Sequence, residues 1–434
     1  MAKRLERLVQ RGHRLTVGLS GGVDSVLLLH ILIKLSVKYD FQLSALHVNH
    51  GISTNAGHWQ TFSEQLCETW GIRLYVQRVA LKDSSGEGIE SLARQARYAA
   101  FAEADAEWVV LAQHRDDQAE TLLFNLLRGT GVAGAAAMPW ARSFPGRPGL
   151  GVLRPLLDVS RGEIVSYARS EGLAWVEDES NVDIRFSRNF LRHRILPMLR
   201  DRFPGGDAAL ARAASHFAES EYLLNELARN DAGNAMRDGR IVASELSKLE
   251  DARARNLLRY ILRCAGLVVP SSTTLREIVK QVCHAAPGKR LNFKLGGRAL
   301  HRYRDEIWLV ACGEPGEETK WQGEDTLTWG TAMLFFKTMT GTGISFSKLA
   351  NTPVWIVPRR GGERFRPDGG RPRRTLKNLL QERAIPPWER DRMPLLWCGD
   401  DLVWAPGIGI DSAWQCLPDE PGILPIYQPD LLFP

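Results

Sequence analysis

The chain has 434 residues, a net charge of +6 and a pI near 9.0, and 44% of its residues are hydrophobic. Its length exceeds that of an ordinary single hydrophobic core, which predicts two or three domains. The longest largely apolar run, Val26 to Ile33, is far shorter than the ~20 residues that span a membrane. Because the charged N-terminus also lacks the apolar stretch of a signal peptide, we expect a cytoplasmic protein with no membrane partner.

The cysteines are scattered and contain no Cys-x-x-Cys pair, which argues against a zinc ribbon, an iron–sulfur site and a disulfide framework. They are Cys67, Cys264, Cys283, Cys312, Cys398 and Cys416. We expect reduced thiols with structural roles.

Four strand-like apolar runs, separated by helical patterns, begin near Leu15, Leu43, Leu74 and Trp108. Their spacing of about 30 residues is typical of successive strand and helix pairs. Short, continuously apolar strands are expected when helices cover both faces of a parallel sheet. The N-terminal part is therefore predicted to be α/β, a doubly wound parallel sheet whose ligands lie at the carboxyl ends of the strands.

The segment Ser20-Gly21-Gly22-Val23-Asp24-Ser25 follows the first strand and precedes a helical run. Glycines let backbone N–H groups point inward, serines add hydroxyl donors, and a helix N-terminus adds partial positive charge. An ordinary tight turn would need only the two glycines. The segment is neither a Walker A loop nor a Gly-x-Gly-x-x-Gly fingerprint, yet it favours a polyphosphate site.

The second and third units also carry polar groups. His47 and His50 stand at the end of the second strand, and for His47 a packed imidazole and a nucleotide contact are equally compatible with the sequence. Arg94 and Arg97 lie one turn apart on a predicted helix, so one of them can hold a phosphate while the other is exposed.

The fourth strand is followed by His114 and by a helix that places Asp116, Asp117 and Glu120 on its first turns. Acids there complement the helix dipole, which is the simplest explanation of their position. Three acids beside a histidine exceed what a cap needs, and they favour binding of Mg²⁺ or of a cationic amine. A glycine-rich turn, Arg128-Gly129, ends this helix and is another candidate phosphate contact.

Two basic stretches contain aromatic residues, a combination that suits nucleic-acid binding better than a solvated face. The first includes Arg188 and Arg192 on one face of a helix. The second, from Arg359 to Arg392, has eleven Lys or Arg residues against five Asp or Glu residues. We predict domains at 1–215, 216–315 (mainly helical, with a short strand pair at Leu291–Phe293 and Ile307–Val310) and 350–434 (small, basic, α/β), with a linker or irregular segment at 316–349.

Besides the loop Ser20–Ser25, the chain contains further distinctive motifs. They are His47–Gly51, Ala93–Tyr98, His114–Thr121, Glu177–Asn181, Arg188–Arg192, Arg360–Pro367, Leu376–Glu382 and Ile385–Trp388. The loop resembles the signature of the PP-loop ATP pyrophosphatases, and the other motifs narrow the resemblance to the tRNA(Ile)-lysidine synthase family. One departure is Gln113, where many relatives carry a histidine.

The resemblance implies an adenine nucleotide alpha hydrolase-like fold and a ligase. With ATP and Mg²⁺, such an enzyme adenylates the wobble cytidine of isoleucine tRNA with a CAU anticodon. Free L-lysine then attacks position 2 of the base, AMP and diphosphate are released, and the codon and amino-acid identity of the tRNA change from methionine to isoleucine.

The resemblance also assigns roles to residues, without deciding which acid binds lysine and which handles Mg²⁺. The catalytic candidates are Asp24, Asp117, Glu120, Arg97 and Arg188. The nucleotide-binding candidates are Ser20, Gly21, Gly22, Val23, Asp24, Ser25, His47, His50, His114, Arg128 and Gly129. The substrate-binding candidates are Asp116, Asp117, Glu120, Arg94, Arg192, Arg364, Arg366 and Lys377, and the metal candidate is Asp24.

Two other functions compete with this interpretation. A tRNA thiolase of the same ATP-using superfamily would usually need catalytic cysteines, and only Cys67 lies near the predicted site in sequence. A tRNA-binding protein with an inactive nucleotide site would not need the intact loop residues from Ser20 to Ser25. Both a monomer and a homodimer are compatible with the sequence.

Overall fold

The computed structural model describes residues 2–49, 51, 53, 55–79, 89–177, 183–284, 291–350 and 352–429. His50, a predicted nucleotide contact, lies outside them. The chain forms two compact units, residues 1–223 and 224–434. Within the described ranges, no helix is long and apolar enough to cross a membrane.

The first unit contains six strands and most of the helices. The strands are β1 (Arg14–Gly18), β2 (Gln42–Asn49), β3 (Arg73–Arg78), β4 (Trp108–Val110), β5 (Ala141–Ser143) and β6 (Gly151–Leu153). The helices are α1 (Ala2–Leu8), α2 (Val23–Tyr39), α3 (Ala56–Thr69), α4 (Ile89–Ala102), α5 (Arg115–Leu127), α6 (Val132–Ala135), α7 (Arg161–Ser170), α8 (Ser187–Phe190), α9 (Leu196–Arg202) and α10 (Gly206–Ala235), which continues into the second unit.

The six strands form one sheet in the order β3-β2-β1-β4-β6-β5. All neighbours are parallel except β5, which pairs antiparallel with β6 at the edge. The four strands predicted from the sequence are therefore present, and the doubly wound parallel sheet is confirmed with one antiparallel edge strand added. The chain runs outward from β1 to β3 and then returns to β4 on the other side of β1. The switch point lies between β1 and β4, where such sheets bind ligands.

The sheet is covered on both faces by apolar side chains. Leu15 and Val17 of β1 pack with α2, α3 and α7 on one face, and Val109 of β4 packs with α4 on the other. The last residue of β1, Gly18, has no room for a side chain, because a Cβ there would lie 2.9 Å from the side chains of both Leu111 and Phe101. Burial of these side chains on both faces fixes the strand ends from which the site residues project.

Helices α8 and α9 are joined without a break by a π-helical turn, Leu191–Ile195. Pro197 follows it, and its ring nitrogen cannot donate a hydrogen bond to the carbonyl of His193 one α-helical turn earlier. The wider turn, in which the Leu196 amide donates to the Leu191 carbonyl, accommodates this missing donor. Arg192 lies inside this turn.

The second unit contains the remaining elements. Its helices are α11 (Ala243–Ser247), α12 (Asp251–Cys264), α13 (Ser272–His284), α14 (Phe346–Leu349), α15 (Leu376–Glu382) and α16 (Pro387–Arg390). Its strands are β7 (Met236–Arg237), β8 (Arg240–Val242), β9 (Leu291–Leu295), β10 (Arg298–Tyr303), β11 (Glu306–Ala311), β12 (Thr319–Trp321), β13 (Thr326–Trp329), β14 (Ala332–Thr340), β15 (Ile344–Ser345), β16 (Val354–Pro358), β17 (Arg364–Phe365), β18 (Arg374–Thr375), β19 (Pro394–Cys398), β20 (Asp401–Ala405), β21 (Gly409–Ile410) and β22 (Pro421–Gln428).

These strands form four sheets. Helices α11 to α13 pack on the five-stranded sheet β7-β8-β11-β10-β9, so the predicted strand pair at 291–293 and 307–310 is separated by β10. The sheets β12-β16-β19-β20-β21 and β13-β14-β22-β15 enclose a shared apolar core, and β17 pairs with β18 beside α15.

The structure differs from the sequence prediction at 316–349, which is not a linker. This segment forms β12 to β15 and α14, and β14 pairs with β22 over eight residues, from Met333 opposite Gln428 to Thr340 opposite Pro421. The partner strands lie far along the chain, so the Gly- and Thr-rich composition of the segment gives no local sign of them.

Aromatic side chains join α16 to the sheet β7-β8-β11-β10-β9, on which α11 to α13 pack. The Trp388 ring stacks on His301 at 4.4 Å between centroids and meets Tyr303 and Trp308 edge-on at 6.1 and 6.0 Å. Two arginines reinforce the junction, because Arg390 donates to the Tyr303 hydroxyl and Arg392 donates to a main-chain carbonyl at the end of β11. Residues on both sides of the 316–349 segment therefore pack as one body.

We predict that Trp388→Ala destabilises the second unit by ~2–3 kcal/mol, because it removes the central ring of this half-buried junction. Hydrogen–deuterium exchange of β10 and β11, together with urea unfolding, measures the loss. Trp388→Phe is the matched control, since it retains a ring and should lose less than half as much. Equal stability of the alanine variant and the wild type would contradict the assignment.

Candidate active site

The loop after β1 is closed by its own serines. The Ser25 hydroxyl donates to the Gly22 carbonyl at 3.0 Å and accepts from the Ser20 amide at 3.2 Å. The Ser20 and Ser25 hydroxyl oxygens are 3.2 Å apart. Helix α2 begins at Val23, directly after the loop. The loop therefore brings hydroxyl groups together with the N-terminus of α2, a helix of 17 residues, as a phosphate site requires.

Gly21 is required by both its backbone conformation and its surroundings. Its φ of +85° lies in the left-handed region, and a Cβ there would stand 2.8 Å from the Val176 side chain. The Val176 amide donates to the Gly21 carbonyl at 3.0 Å. A side chain at position 21 would therefore strain the loop and displace the segment that packs on it.

The loops after β1 and β4 meet because these strands are neighbours. His114, which precedes α5, is buried with 4% exposure, and its Nε2 lies 3.9 Å from Asp24 Oδ2 and 3.5 Å from Asp117 Oδ2. Its backbone amide donates to Asp117 at 3.0 Å, which caps the helix. The predicted proximity of Asp24, His114 and Asp117 is thus a feature of the structure.

Burial and neighbouring charges shift the pKa values of Asp24 and His114 in opposite directions. Burial raises the pKa of Asp24, and the attraction of His114 offsets only part of that rise. Burial lowers the pKa of His114, but the three surrounding carboxylates outweigh it and the net direction is upward. The Oδ1 atom of Asp24 is buried and has no hydrogen-bond partner among the described atoms. A buried carboxylate oxygen without a hydrogen-bond partner calls for a functional explanation, and coordination of a cation beside bound phosphates is one that its chemistry allows.

Asp116 lies at the Nδ1 atom of His114, whereas Asp24 and Asp117 lie at its Nε2 atom. Its carboxylate accepts from the Arg161 amide at 2.9 Å and pairs with Arg200 at 3.2 Å, while His114 Nδ1 lies 3.6 Å away. Although burial opposes ionisation, these partners hold the pKa of Asp116 below its ordinary value. Arg200 also pairs with Asp207. We find Asp116 fully engaged in tying α5 to α7 and α9, so its predicted substrate contact has no support in this geometry.

Asp117 and Glu120 form a second pair on α5, and both are occupied by Arg192. The Arg192 guanidinium lies 2.9 Å from Asp117 Oδ1 and 2.8 Å from Glu120 Oε2, and Arg188 lies 3.9 Å from Glu120 Oε1. Glu120 is only 2% exposed, and its burial raises its pKa against the opposing charge of Arg192. The predicted amine-binding acids therefore already hold a cation from the basic helix.

The residues present fit a magnesium ion held jointly with phosphates. In the part of the chain that the structure describes, no group of three or more His, Cys, Asp or Glu side chains is arranged to hold a metal ion alone. Mg²⁺ commonly takes one or two carboxylates and fills its other positions with water and substrate phosphates. The unpartnered Oδ1 of Asp24 is suited to that role.

The other predicted nucleotide contacts stand in different surroundings. His47 is 4% exposed, and its Nδ1 lies 3.0 Å from the Leu19 carbonyl, so it is a packed core histidine whose pKa is lowered by burial. Arg128 and Gly129 stand at the far end of α5, ~20 Å from His114 at 1.5 Å per residue. The Arg128 guanidinium lies over Phe124, as does that of Arg188.

The remaining predicted arginines are distributed over other elements. Arg94 and Arg97 lie on α4, where the Arg94 guanidinium is 5.0 Å from the centre of the Tyr98 ring. In the second unit, Arg364 and Lys377 are exposed, and Arg366 donates to the Ser412 hydroxyl at 3.0 Å.

Sequence reasoning missed two residues that organise the site. Val176 packs on Gly21, and the Arg161 amide holds Asp116. Both contacts join segments far apart in the chain, and neither residue type is distinctive. Arg161 directly follows the Ser160 N-cap, and a backbone amide in the first turn of a helix has no partner within the helix.

Three protein-family profiles match the chain. They are a PP-loop domain over residues 1–199, a TilS substrate binding domain over 243–308 and a TilS substrate C-terminal domain over 354–426. The tRNA(Ile)-lysidine synthase of Nitrosomonas europaea is 44% identical over 430 residues, covering 98% of this chain and 94% of that protein. That of Aromatoleum aromaticum is 42% identical over 418 residues, covering 96% and 97%. The chain belongs to the tRNA(Ile)-lysidine synthase family.

Family membership identifies a tRNA-modifying ligase, and the PP-loop domain implies that it uses ATP. The burial of Cys67 and its raised pKa favour this assignment rather than a thiolase. Cys67 is buried in the α3 core, and burial raises its pKa to about 11. A thiol with that pKa is almost wholly protonated at neutral pH and is a poor nucleophile.

We predict that Asp24→Asn increases the free energy of unfolding at neutral pH while removing catalytic function. Because the folded state raises the pKa of Asp24, ionised Asp24 costs stability above that pKa. The advantage of the variant should be present at pH 7 and shrink as the pH falls through the folded pKa.

Urea unfolding between pH 4 and pH 8 measures this difference, with Asp201→Asn as the control at an exposed acid of the same unit. A variant that is less stable than wild type at pH 7 would overturn the prediction.

Proposed function

We propose that this protein joins the ε-amine of free L-lysine to position 2 of the wobble cytidine of isoleucine tRNA with a CAU anticodon. The reaction consumes ATP, releases AMP and diphosphate, and takes place in the cytoplasm. The observation that carries the proposal is the near full-length similarity to tRNA(Ile)-lysidine synthases, together with a phosphate loop whose Asp24 lies beside His114, which in turn lies beside Asp117.

In the first step, the oxygen on position 2 of cytidine attacks the α-phosphorus of ATP. An oxygen–phosphorus bond forms and the bond to diphosphate breaks. Serine hydroxyls and the N-terminus of α2 would hold the departing diphosphate and stabilise its charge. Mg²⁺, held by Asp24 and the phosphates, would neutralise negative charge there. The raised pKa of His114 favours its protonated, cationic form, which is suited to hold the Asp24 carboxylate in place.

In the second step, the lysine ε-amine attacks the activated carbon, and AMP leaves with its bonding electrons. Free lysine has a side-chain pKa of ~10.4, so its ammonium must be bound and deprotonated first. Asp117 and Glu120 already hold a guanidinium at 2.8–2.9 Å, which supports their ability to bind a cation. The raised pKa of Glu120 makes it the better proton acceptor.

Arg192 and Arg188 would then turn towards the tRNA. When an ammonium enters, the acids no longer need the guanidinium of Arg192. These arginines lie on a helical segment that also carries Arg194 and Arg202, and they would meet the phosphates of the anticodon loop. An anticodon base is already in a loop, so the free energy needed to expose it is small.

The second unit would supply contacts outside the anticodon. The profile matches for substrate binding fall there, and exposed cations such as Arg364 and Lys377 lie on its surface. A methionine tRNA with a similar anticodon loop must be rejected, so recognition must reach other parts of the molecule.

The direct test is lysine incorporation by the purified protein with ATP and an isoleucine tRNA transcript. We expect radiolabelled lysine in transcripts with cytidine at the wobble position and none in transcripts with uridine there. ATP turnover without lysine incorporation would refute the proposal, and sulfur incorporation would favour the thiolase.

A second prediction separates the two steps. Glu120→Gln should raise the KM for lysine at least tenfold and lower kcat, because the neutral amide binds the ammonium weakly and cannot accept its proton. Formation of the adenylated tRNA should continue, which a diphosphate-release assay without lysine measures. Glu219→Gln, at an exposed acid on α10, is the control. Unchanged lysine kinetics in Glu120→Gln would remove Glu120 from the amine site.

A further inference from the structure

Three arginines lie around the Tyr98 side chain at the carboxyl edge of the sheet, and we propose that this Tyr98 cluster binds a phosphodiester of the tRNA anticodon loop. The cluster consists of Tyr98, Arg94, Arg142 and Arg154. The inference rests on the proposed function, because it assumes that the anticodon enters the same sheet edge.

The arrangement is defined by contacts from three segments. Arg142 donates to the Tyr98 hydroxyl at 3.2 Å, and the Arg94 guanidinium lies 5.0 Å from the centre of the ring. Arg142 also approaches the ring, at 5.8 Å. Arg94 is exposed and Arg142 is half-buried, so a ligand can reach both.

Arg154, at the end of β6, extends the cluster into the interior. It is 2% exposed, and it donates to Gln113 Oε1 and to the Pro139 carbonyl, both at 3.0 Å. These acceptors are neutral. A buried guanidinium is normally paired with a carboxylate, because removing its charge from water costs several kcal/mol.

Among the described residues, the charged groups that act on the pKa of Arg154 are Arg142 and Arg94, which share its positive charge. Burial raises the pKa of Tyr98, yet the three arginines outweigh burial and lower it. In addition, Arg142 Nε is buried and has no hydrogen-bond partner among the described atoms. The cluster therefore has excess positive charge and a donor to spare, and an anion satisfies both.

The position separates this anion from the triphosphate of ATP. Two strand spacings divide the end of β6 from the end of β1, which places the cluster ~10 Å from the phosphate loop. Gln113, which Arg154 holds, immediately precedes His114 of the candidate active site. A backbone phosphate beside the wobble nucleotide would fit this separation, because the base must reach the loop while its own backbone lies outside it.

The test measures binding of an isoleucine anticodon stem-loop RNA at several potassium chloride concentrations. We expect Arg94→Gln and Arg142→Gln each to weaken binding about tenfold and to reduce the slope of log affinity against log salt by about one. Arg142→Lys should recover part of the affinity, because it retains the charge. The matched control is Arg169→Gln on α7, which removes one exposed charge from the other face of the sheet and should change neither value.

ATP binding by the same variants distinguishes the two sources of phosphate. Unchanged ATP affinity with weakened RNA binding supports the proposal. Weakened ATP binding with normal RNA binding would assign the cluster to the nucleotide, and wild-type values for both would make it purely structural; either result overturns the proposal. Wild-type protein that binds the RNA through these arginines but incorporates no lysine would refute only the proposed function.

Discussion

The pairing of β1 with β4 is the constraint on which the candidate site depends. Each strand ends in a polar segment, and their adjacency at the switch point brings Asp24 within 3.9 Å of His114. Apolar packing on both faces of the sheet provides the favourable free energy that keeps these strands adjacent. The buried charges at the site contribute little to stability and some reduce it, so the sheet must supply the free energy that holds them together.

Charge balance then determines how the elements around the sheet are arranged. The acids of α5 take their partners from the helix that runs from α8 to α9, with Arg192 on Asp117 and Glu120 and Arg200 on Asp116. The π-helical turn lies in the middle of this contact. One basic helix thus compensates acids that would otherwise repel each other, and its arginines are also suited to meet an RNA phosphate.

The sequence predicted what is local and missed what is distant. Strand starts, the Ser20–Ser25 loop and the helix after His114 follow from contiguous patterns, and the structure has them at the expected residues. The contact of Arg192 with Glu120 joins residues that are 72 positions apart, and no sequence pattern in either segment predicts that the two pair. The strands within 316–349 were missed for the same reason. The position of Arg128, in contrast, could have been foreseen from the sequence. The 13-residue length of α5 separates it by ~20 Å from His114.

The two arginine groups of the first unit differ in a way that bears on their roles. Arg192 has carboxylate partners that already balance its charge, so its attraction for an RNA phosphate increases when another cation takes its place beside them. The arginines around Tyr98 have neutral acceptors and need no exchange. An anion can therefore bind the Tyr98 cluster first, at no electrostatic cost to the acids. Contact with Arg192 would follow once an ammonium occupies Asp117 and Glu120, which links the order of substrate entry to the charge each group already holds.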